Sequence, residues 1–573
     1  MKKAFEPNVA ARLKTIATLM PSGVAIAEPD GPVQADGTRS YRVVTFEALD
    51  RRTDEIARGL LEWGVQPGMR LVMLVPFSGQ FIELVLALLK VGVVVVLIDP
   101  GMGRKHLIQC LSESSPDGFI GIPRAQAIRS LLRHRFPKAQ WNVTVGRKWF
   151  WGGKTLNQLI DLGNNTGKEF SIVRRELEDS AAVIFTTGST GPPKGVLYTH
   201  GTFHSQIDRI RERYDIHRGS KDLACFPLFG LFDAVMGVTT VIPDMDPTRP
   251  AEVNPERLIE AVSQWEIDQS FGSPALWNKV VRWAEQRGVK KPFPTLKLIL
   301  SAGAPVPANT LERLRGLIHE DGEIVTPYGA TEALPLASIE SREVISQTGP
   351  ASAKGKGTCV GTRFEGVEWK IIEISDDPIQ CLDDVKVLDV GRIGELLVTG
   401  PMVTKEYVVR ADQNAIHKVI DGDQVWHRMG DVGYLDEYDR FWFCGRKTHR
   451  VTTENRTLYT IPCEAIFNAH PMVYRSALIG VGKGEVKNPM VLVELQPEFS
   501  DLNDQDRSDL VDELHELATR NPMTRRISEI MIRKEPLPVD IRHNSKIFRE
   551  QLAVEYADYR VKKAYRKMPS SIV

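Results

Sequence analysis

Cysteine is scarce in this 573-residue chain: there are six, at positions 110, 225, 359, 381, 444 and 463, and none forms a CxxC pair. That spacing argues against a disulfide framework and a thiolate zinc site, and it suits a reducing cytoplasm. Neither sign of charge is in excess, because Lys+Arg and Asp+Glu each number 73. Proteins that track nucleic-acid phosphates carry a basic surplus, so no nucleic-acid partner is expected. Long uncharged apolar runs are missing too. The nearest, FIELVLALLKVGVVVVLIDP from Phe81 to Pro100, is interrupted by Glu83 and Lys90 and split at Gly92. It reads as a buried helix followed by a central β-branched strand, with no transmembrane segment, since a span needs roughly 20 nearly uncharged residues. The opening MKKAFEPNVAARL lacks the apolar core of a secretory signal.

What remains is an ordinary globular composition, 42% hydrophobic and 25% charged, in a chain too long for one core. Helical and strand patterns alternate from residue 43 to 100, and the rhythm returns at AAVIFTTGST, DLACFPLFG, KLILSAGAP and EIVTPYGATE. Strand–helix–strand order implies a parallel sheet with crossover helices, and loops at the carboxyl ends of such strands gather on one site. After about residue 357 short strands joined by turns suggest an antiparallel β unit. The fold class expected is therefore α/β. Residues 1–445 form a large domain of parallel-rich α/β sheets plus a β-barrel-like unit. Residues 446–573 form a small, mobile α+β C-terminal domain.

The least ordinary stretch is FTTGSTGPPKG, Phe185 to Gly195. Backbone N–H groups of a glycine-rich loop can converge on an anion, and Thr186, Thr187, Ser189, Thr190 and Lys194 add hydroxyl donors and a cation. The Walker pattern GxxxxGK[ST] fails here, because Lys194 follows Pro193 and precedes Gly195. Gly101–Gly103 likewise fails as a dinucleotide fingerprint, with His106 in the sixth position. A glycine–proline loop alone could be a plain turn. His200 and His204 have HxxxH spacing without the Glu of HExxH and are read as non-metal residues.

TTGSTGPPKG nevertheless resembles, at every position, the signature [ST]-[ST]-G-[ST]-T-G-x-P-K-G of the adenylate-forming superfamily. That superfamily comprises acyl-CoA synthetases, non-ribosomal peptide adenylation domains and luciferases. Further segments follow in the family's order: SAGAP at Ser301–Pro305, YGATE at Tyr328–Glu332, GELLVTGP, RMGDVGYLDEYDRFWFCGR and NSKIFR. The resemblance implies ATP and Mg²⁺ as cofactors. It implies that Thr186, Thr187, Gly188, Ser189, Thr190, Gly191 and Lys194 hold the β- and γ-phosphates. Tyr328 would stack on adenine, with Gly303, Ala304 and Pro305 beside it and Gly329 and Ala330 in the same motif. Thr331 would contact the α-phosphate, Glu332 would ligate Mg²⁺, Asp431 would bind the ribose near Arg446, and Lys546 would bridge carboxylate and phosphate. Lys546, Thr331, Glu332 and Lys194 are the catalytic candidates.

The second half-reaction is written in departures from the family pattern. After Gly445-Arg446 the hinge falls near Thr448, His449 replaces the common Asp, and Glu454-Asn455 stand where glycines are expected. Met429 and Ser545 replace the Thr of TGD and the Gly before the late lysine. A drifted hinge and a lost thioester step both fit. With LIDPGMGRKHL (Leu97–Leu107) and PLFGLFDAVMG (Pro227–Gly237), these features resemble the olefin β-lactone synthetases of bacterial hydrocarbon biosynthesis. The resemblance implies activation of a long-chain β-hydroxy acid, then attack of its own hydroxyl on the acyl carbon. It also implies assembly with other olefin-pathway enzymes, of reductase and β-lactone decarboxylase types. A fatty acyl-CoA ligase is the alternative, and a non-catalytic adenylate-binding protein a third reading. Phe229, Gly230, Phe232 and Asp233 are the substrate candidates, with Asp233 expected either to orient or deprotonate the β-hydroxyl or to sit at a helix start. The basic tail YRVKKAYRKMPSS is read as solvated, with peripheral membrane contact open.

Overall fold

The computed structural model describes residues 6–165, 167, 169–186, 192–540 and 546–566. Helix α1 (Phe46–Glu62) precedes strand β1 (Arg70–Leu74), helix α2 (Gly79–Val91) and strand β2 (Val94–Leu97). Helix α2 begins where the Ser78 hydroxyl accepts from Phe81 N–H, and ends at Gly92, whose φ of +79° closes the last turn without a Cβ clash. Every α2 residue but Gln80 is buried, which explains the membrane-like composition of this stretch. Lys90 in its last turn is fully buried, with Nζ 2.5 Å from both Asp50 and Asp54 of α1. Among the described residues no helix is long and apolar enough to cross a membrane.

Strand β2 lies between β1 and β3 (Ser180–Phe185), paired parallel with both, in an eight-stranded sheet. β3 leads into the phosphate-loop candidate and returns as the antiparallel β4 (Gly195–Thr199), from which helix α3 (His200–Arg213) departs. A second sheet takes β5 (Lys221–Ala224), helix α4 (Pro227–Met236) with β6 (Thr239–Val241), then β7 (Gln269–Gly272), β8 (Leu298–Ser301) and β9 (Glu323–Ala330). Strands β5 to β9 are parallel. β9 then pairs antiparallel with β10 (Ala333–Glu340), and the antiparallel strands beyond residue 357 extend this same fourteen-stranded sheet, including β11 (Gln424–Leu435) and β12 (Arg440–Arg446). The antiparallel unit expected from the sequence is thus a continuation of the parallel sheet, joined to it through the β9–β10 hairpin.

After Arg446 the chain builds a separate three-stranded sheet, from β13 (Val473–Val481), β14 (Asn488–Leu495) and β15 (Glu529–Ile532), with apolar cores of its own on both faces. Removing one partner from a buried ion cluster leaves uncompensated charge, at about 3–5 kcal/mol. Lys90→Met is therefore expected to lower the thermal midpoint by several degrees, and adding Asp50→Asn and Asp54→Asn to recover most of the loss, both read by calorimetry.

Candidate active site

The carboxyl ends of β3, β5, β7, β8 and β9 face one cavity of about 390 Å³. Strand β8 runs out through Ala302 and Gly303, and Gly303 has a φ of +102°, a conformation that favours glycine. Ala304 and the exposed Pro305 continue the loop away from the wall. Strand β9 ends in Tyr328, Gly329 and Ala330. A Cβ on Gly329 would stand 2.7 Å from the Ala333 carbonyl, so only glycine fits against the returning strand.

Ala330 pairs with Ala333, so Thr331 and Glu332 are the two residues of a tight hairpin connection. Their carbonyls are tied outward. Tyr198 Oη donates to Thr331 O at 2.5 Å, and Thr404 donates to Glu332 O from both N–H and hydroxyl, each at 2.9 Å. Both residues line the cavity, and the Tyr407 hydroxyl donates to Glu332 Oε1 at 2.7 Å. Lys194 lies over the Tyr407 ring, 5.5 Å from its centroid. Burial holds its ammonium below the usual range, and Glu332 opposes that shift. The phosphate-loop candidate is closed at its base, where Thr186 N–H donates to Lys194 O at 3.0 Å and Lys194 N–H to Thr186 Oγ1 at 3.1 Å. Thr187, Gly188, Ser189, Thr190 and Gly191 lie outside the described residues, as do Ser545 and the tail from 567 on.

Asp431 of β11 is buried, accepting from the Tyr328 hydroxyl at 2.5 Å, with Arg446 Nη1 3.0 Å from its other oxygen. Burial raises its pKa and Arg446 opposes the shift. Arg446, Lys447, Thr448 and Lys546 all reach the cavity, Lys546 from the chain that follows β15. Cations thus outnumber carboxylates on this wall, with Lys194, Arg446, Lys447 and Lys546 beside Glu332, and the donor set fits a polyanion. Below the hinge, Lys447 Nζ is 2.8 Å from Ser375 O and 3.2 Å from Glu395, which pairs with the fully buried Arg428 at 2.7 Å. Glu454 and Asn455 fall in a four-residue turn, closed by Thr453 N–H donating to Arg456 O at 2.9 Å.

Away from this polar end the wall turns aromatic. Tyr198 packs on Phe203 (5.2 Å between centroids), Phe203 on Phe232 (6.4 Å), Phe232 on Phe229 (6.1 Å) and Phe229 on Phe271 (4.1 Å, stacked). Phe229 and Phe232 line the cavity, whereas Gly230 and Asp233 do not. Gly230 packs toward Phe77 and Thr240, where a Cβ would meet the Phe77 ring at 2.8 Å. Asp233 sits in the body of α4, not at its start, fully buried against Asp222 of β5 and 3.4 Å from the Thr240 hydroxyl. Its expected role toward a substrate hydroxyl is corrected: its carboxyl is turned to another carboxyl behind the wall. His200 and His204 are structural. His200 accepts from Val9 N–H at 3.2 Å, and His204 accepts from Arg12 Nε at 2.8 Å.

Sequence reasoning passed over Tyr407, His417, Lys418 and His427, which form a layer beneath Glu332. Lys418 Nζ lies 5.5 Å from the Tyr407 centroid, and burial brings its pKa down to about 7. Burial brings His417 down to about 3 and His427 well below its usual value, so both rings are neutral. For His427 the WHRMGD run, which ends in Asp431, was the available signal.

The chain matches the family pattern described as AMP-binding enzyme over residues 24–408. It is 44% identical to the olefin beta-lactone synthetase of Xanthomonas campestris pv. campestris, over 97% of this chain and 98% of that one. It is 42% identical to the olefin beta-lactone synthetase of Stenotrophomonas maltophilia, over 96% and 97% of the two chains. The chain belongs to the AMP-binding enzyme family. Its fold is similar to that of ATP-bound MatB from Rhodopseudomonas palustris, with a TM-score of 0.76 and 19% identity over 97% of this chain and 100% of that one.

Burial raises the Asp233 pKa well above its ordinary 3.8, and raises that of Asp222 as well. A raised folded-state value gives stability that is complete below the ordinary aspartate range and lost as pH rises toward that value. Asp233→Asn replaces the acid with a permanently neutral group. The variant's thermal midpoint is expected to match the wild type at low pH and to gain on it progressively above about pH 4, while adenylation is retained.

Proposed function

We propose that the protein activates a long-chain β-hydroxy carboxylic acid with ATP as the acyl-adenylate, and that the β-hydroxyl then closes a β-lactone with loss of AMP. The observation that carries this reading is one cavity lined by Lys194, Thr331, Glu332, Arg446 and Lys546 that continues into the Phe203–Phe232–Phe229 wall. The relatives named olefin beta-lactone synthetase support the choice of product.

In this reading Thr186 and Lys194, with the loop between them, hold the β- and γ-phosphates. Tyr328 and Gly303 take the adenine, with Ala302 in place of the expected Ala304, Asp431 the ribose hydroxyls with Arg446 beside it, and Thr331 the α-phosphate. Lys546 stands between carboxylate and phosphate, where a fixed cation stabilises the negative charge that grows around phosphorus. Glu332 is the carboxylate that would hold Mg²⁺, a cation satisfied by one or two carboxylates together with phosphate oxygens, whose charge supplies Lewis-acid stabilisation. The apolar wall takes the chain and excludes water from the mixed anhydride. Ring closure brings in no second substrate, because the nucleophile is tethered to the acyl carbon at high effective molarity. The buried Lys447–Glu395–Arg428 cluster, which fastens the hinge to the large sheet, accords with a second step that needs no thiol channel.

The reading further divides the chain after Gly445 into an ATP- and acyl-binding unit and a small unit that delivers Lys546. It places the protein in the cytoplasm, where six unpaired cysteines are at home, among olefin-pathway enzymes of reductase and decarboxylase type.

Purified protein with ATP, Mg²⁺ and a long-chain β-hydroxy acid is expected to release AMP and pyrophosphate and to form β-lactone without CoA. Acyl-CoA as the sole product would establish the ligase instead. Lys546→Ala is expected to slow pyrophosphate release by on the order of a hundredfold. Glu332→Gln is expected to raise the Mg²⁺ concentration needed for half-maximal rate, as followed in a metal titration.

A further inference from the structure

Among the described residues that line the cavity, Gln206 and Tyr214 each carry a buried polar atom with unused capacity, and Gln206 is the one bonded to the β9–β10 hairpin. Gln206 lies on α3 between Phe203 and Ile210, on the stripe that this helix presents to the cavity, and is only 1% exposed. Its Nε2 donates to Leu334 O at 2.9 Å, two residues past Glu332, which fixes the carboxamide against the β9–β10 hairpin. That bond assigns nitrogen and oxygen, leaving Oε1 as a buried acceptor with no hydrogen-bond partner among the described residues. An amide oxygen held dry and unpaired carries a desolvation cost that a bound donor would relieve.

Its position is fixed by its neighbours. Tyr198, whose hydroxyl bonds to Thr331 O, begins the aromatic wall through Phe203, and Gln206 is one helical turn beyond Phe203 on the same helix. An acyl chain running from Thr331 and Lys546 along that wall meets Gln206, which lines the same cavity and is bonded three residues past Thr331, at Leu334. A saturated hydrocarbon has no donor to offer there, whereas a hydroxyl has one.

We propose that Gln206 is a specificity-determining residue that accepts a hydrogen bond from the hydroxyl near the carboxyl end of the acyl substrate, and so selects hydroxy acids over unsubstituted acids. The inference rests on the β-hydroxy acid reading and deepens it. The O–H bond points to Oε1, so the lone pairs of the hydroxyl oxygen stay free for the acyl carbon. Gln206 therefore orients the nucleophile without taking its proton, which goes to the departing AMP phosphate as the bond between acyl carbon and AMP oxygen breaks. A site built to pair with a hydroxyl discriminates strongly against the analogue lacking it, since the protein group is then left buried and unpaired.

The test compares pyrophosphate release with a 3-hydroxy acid and with the unsubstituted acid of the same length, in the wild type, Gln206→Leu and Gln206→Met. The wild type is expected to favour the hydroxy acid. Each variant is expected to lose on the order of tenfold in kcat/KM for that acid, with little change for the other, so that the ratio falls toward one. The unsubstituted acid serves as an internal control for folding, and the Met variant, which keeps chain length, supplies the ratio if the Leu variant is inactive on both. Lactone production by the wild type with an unchanged ratio in the variants would overturn the role of Gln206 and leave the lactone reading standing. Absence of lactone from the wild type would overturn that reading, and the inference with it.

Discussion

The site depends on a two-residue connection. Strand β9 is bound parallel on one side and antiparallel on the other, so the sheet changes character at Ala330–Ala333, with Thr331 and Glu332 caught between. A link this short leaves them no room to relax. With both carbonyls tied to Tyr198 and Thr404, the hydroxyl and carboxylate belong to the cavity wall. The hairpin also joins the two kinds of sheet, so strand geometry on both sides fixes where an anion can meet Lys194 and Lys546.

Charge is handled in three ways in the interior. Some cations are satisfied completely inside the protein: Lys90 by two carboxylates, Arg428 by Glu395 and backbone carbonyls. Others face the cavity with less than full compensation, and burial depresses Lys194 accordingly. The first kind gives a rigid frame at the cost of desolvation, while the second leaves a field for an incoming anion to neutralise. Asp222 and Asp233 make a third case, in which two acids placed together in the dry interior stay protonated above the usual aspartate range.

The parts legible in the sequence were those whose chemistry needs a local pattern. A glycine- and hydroxyl-rich loop, YGATE and the RMGD…GR block each crowd special residues into a few positions, and strand-end loops were expected to gather, as they do. Pairings set only by packing were not legible. Asp233 read as a substrate contact because it stands in PLFGLFDAVMG, one of the segments that carry the family resemblance, and nothing local announces that α4 turns it toward Asp222 on β5. Gln206 is hidden in an amphipathic helix, where a glutamine at any position reads as surface. Tyr407 comes from an edge strand that adds to β4 from some 200 residues away, and a lone aromatic in TKEYVVR carries no signal of that. The antiparallel unit was legible, but its continuity with the parallel sheet was not, because turn-rich texture reports strand length and not which sheet the strands join.

Helix α3 carries Phe203 and Gln206 on the cavity side, while from the same helix His200 and His204 grip the backbone of Val9 and the guanidinium of Arg12, and Asp208 pairs with Arg12 at 2.7 Å. The segment around Val9 and Arg12 is thus a strap against the helix that carries part of the aromatic wall. A change at Val9 or Arg12 therefore acts on the acyl wall through α3, without touching any residue that lines the cavity.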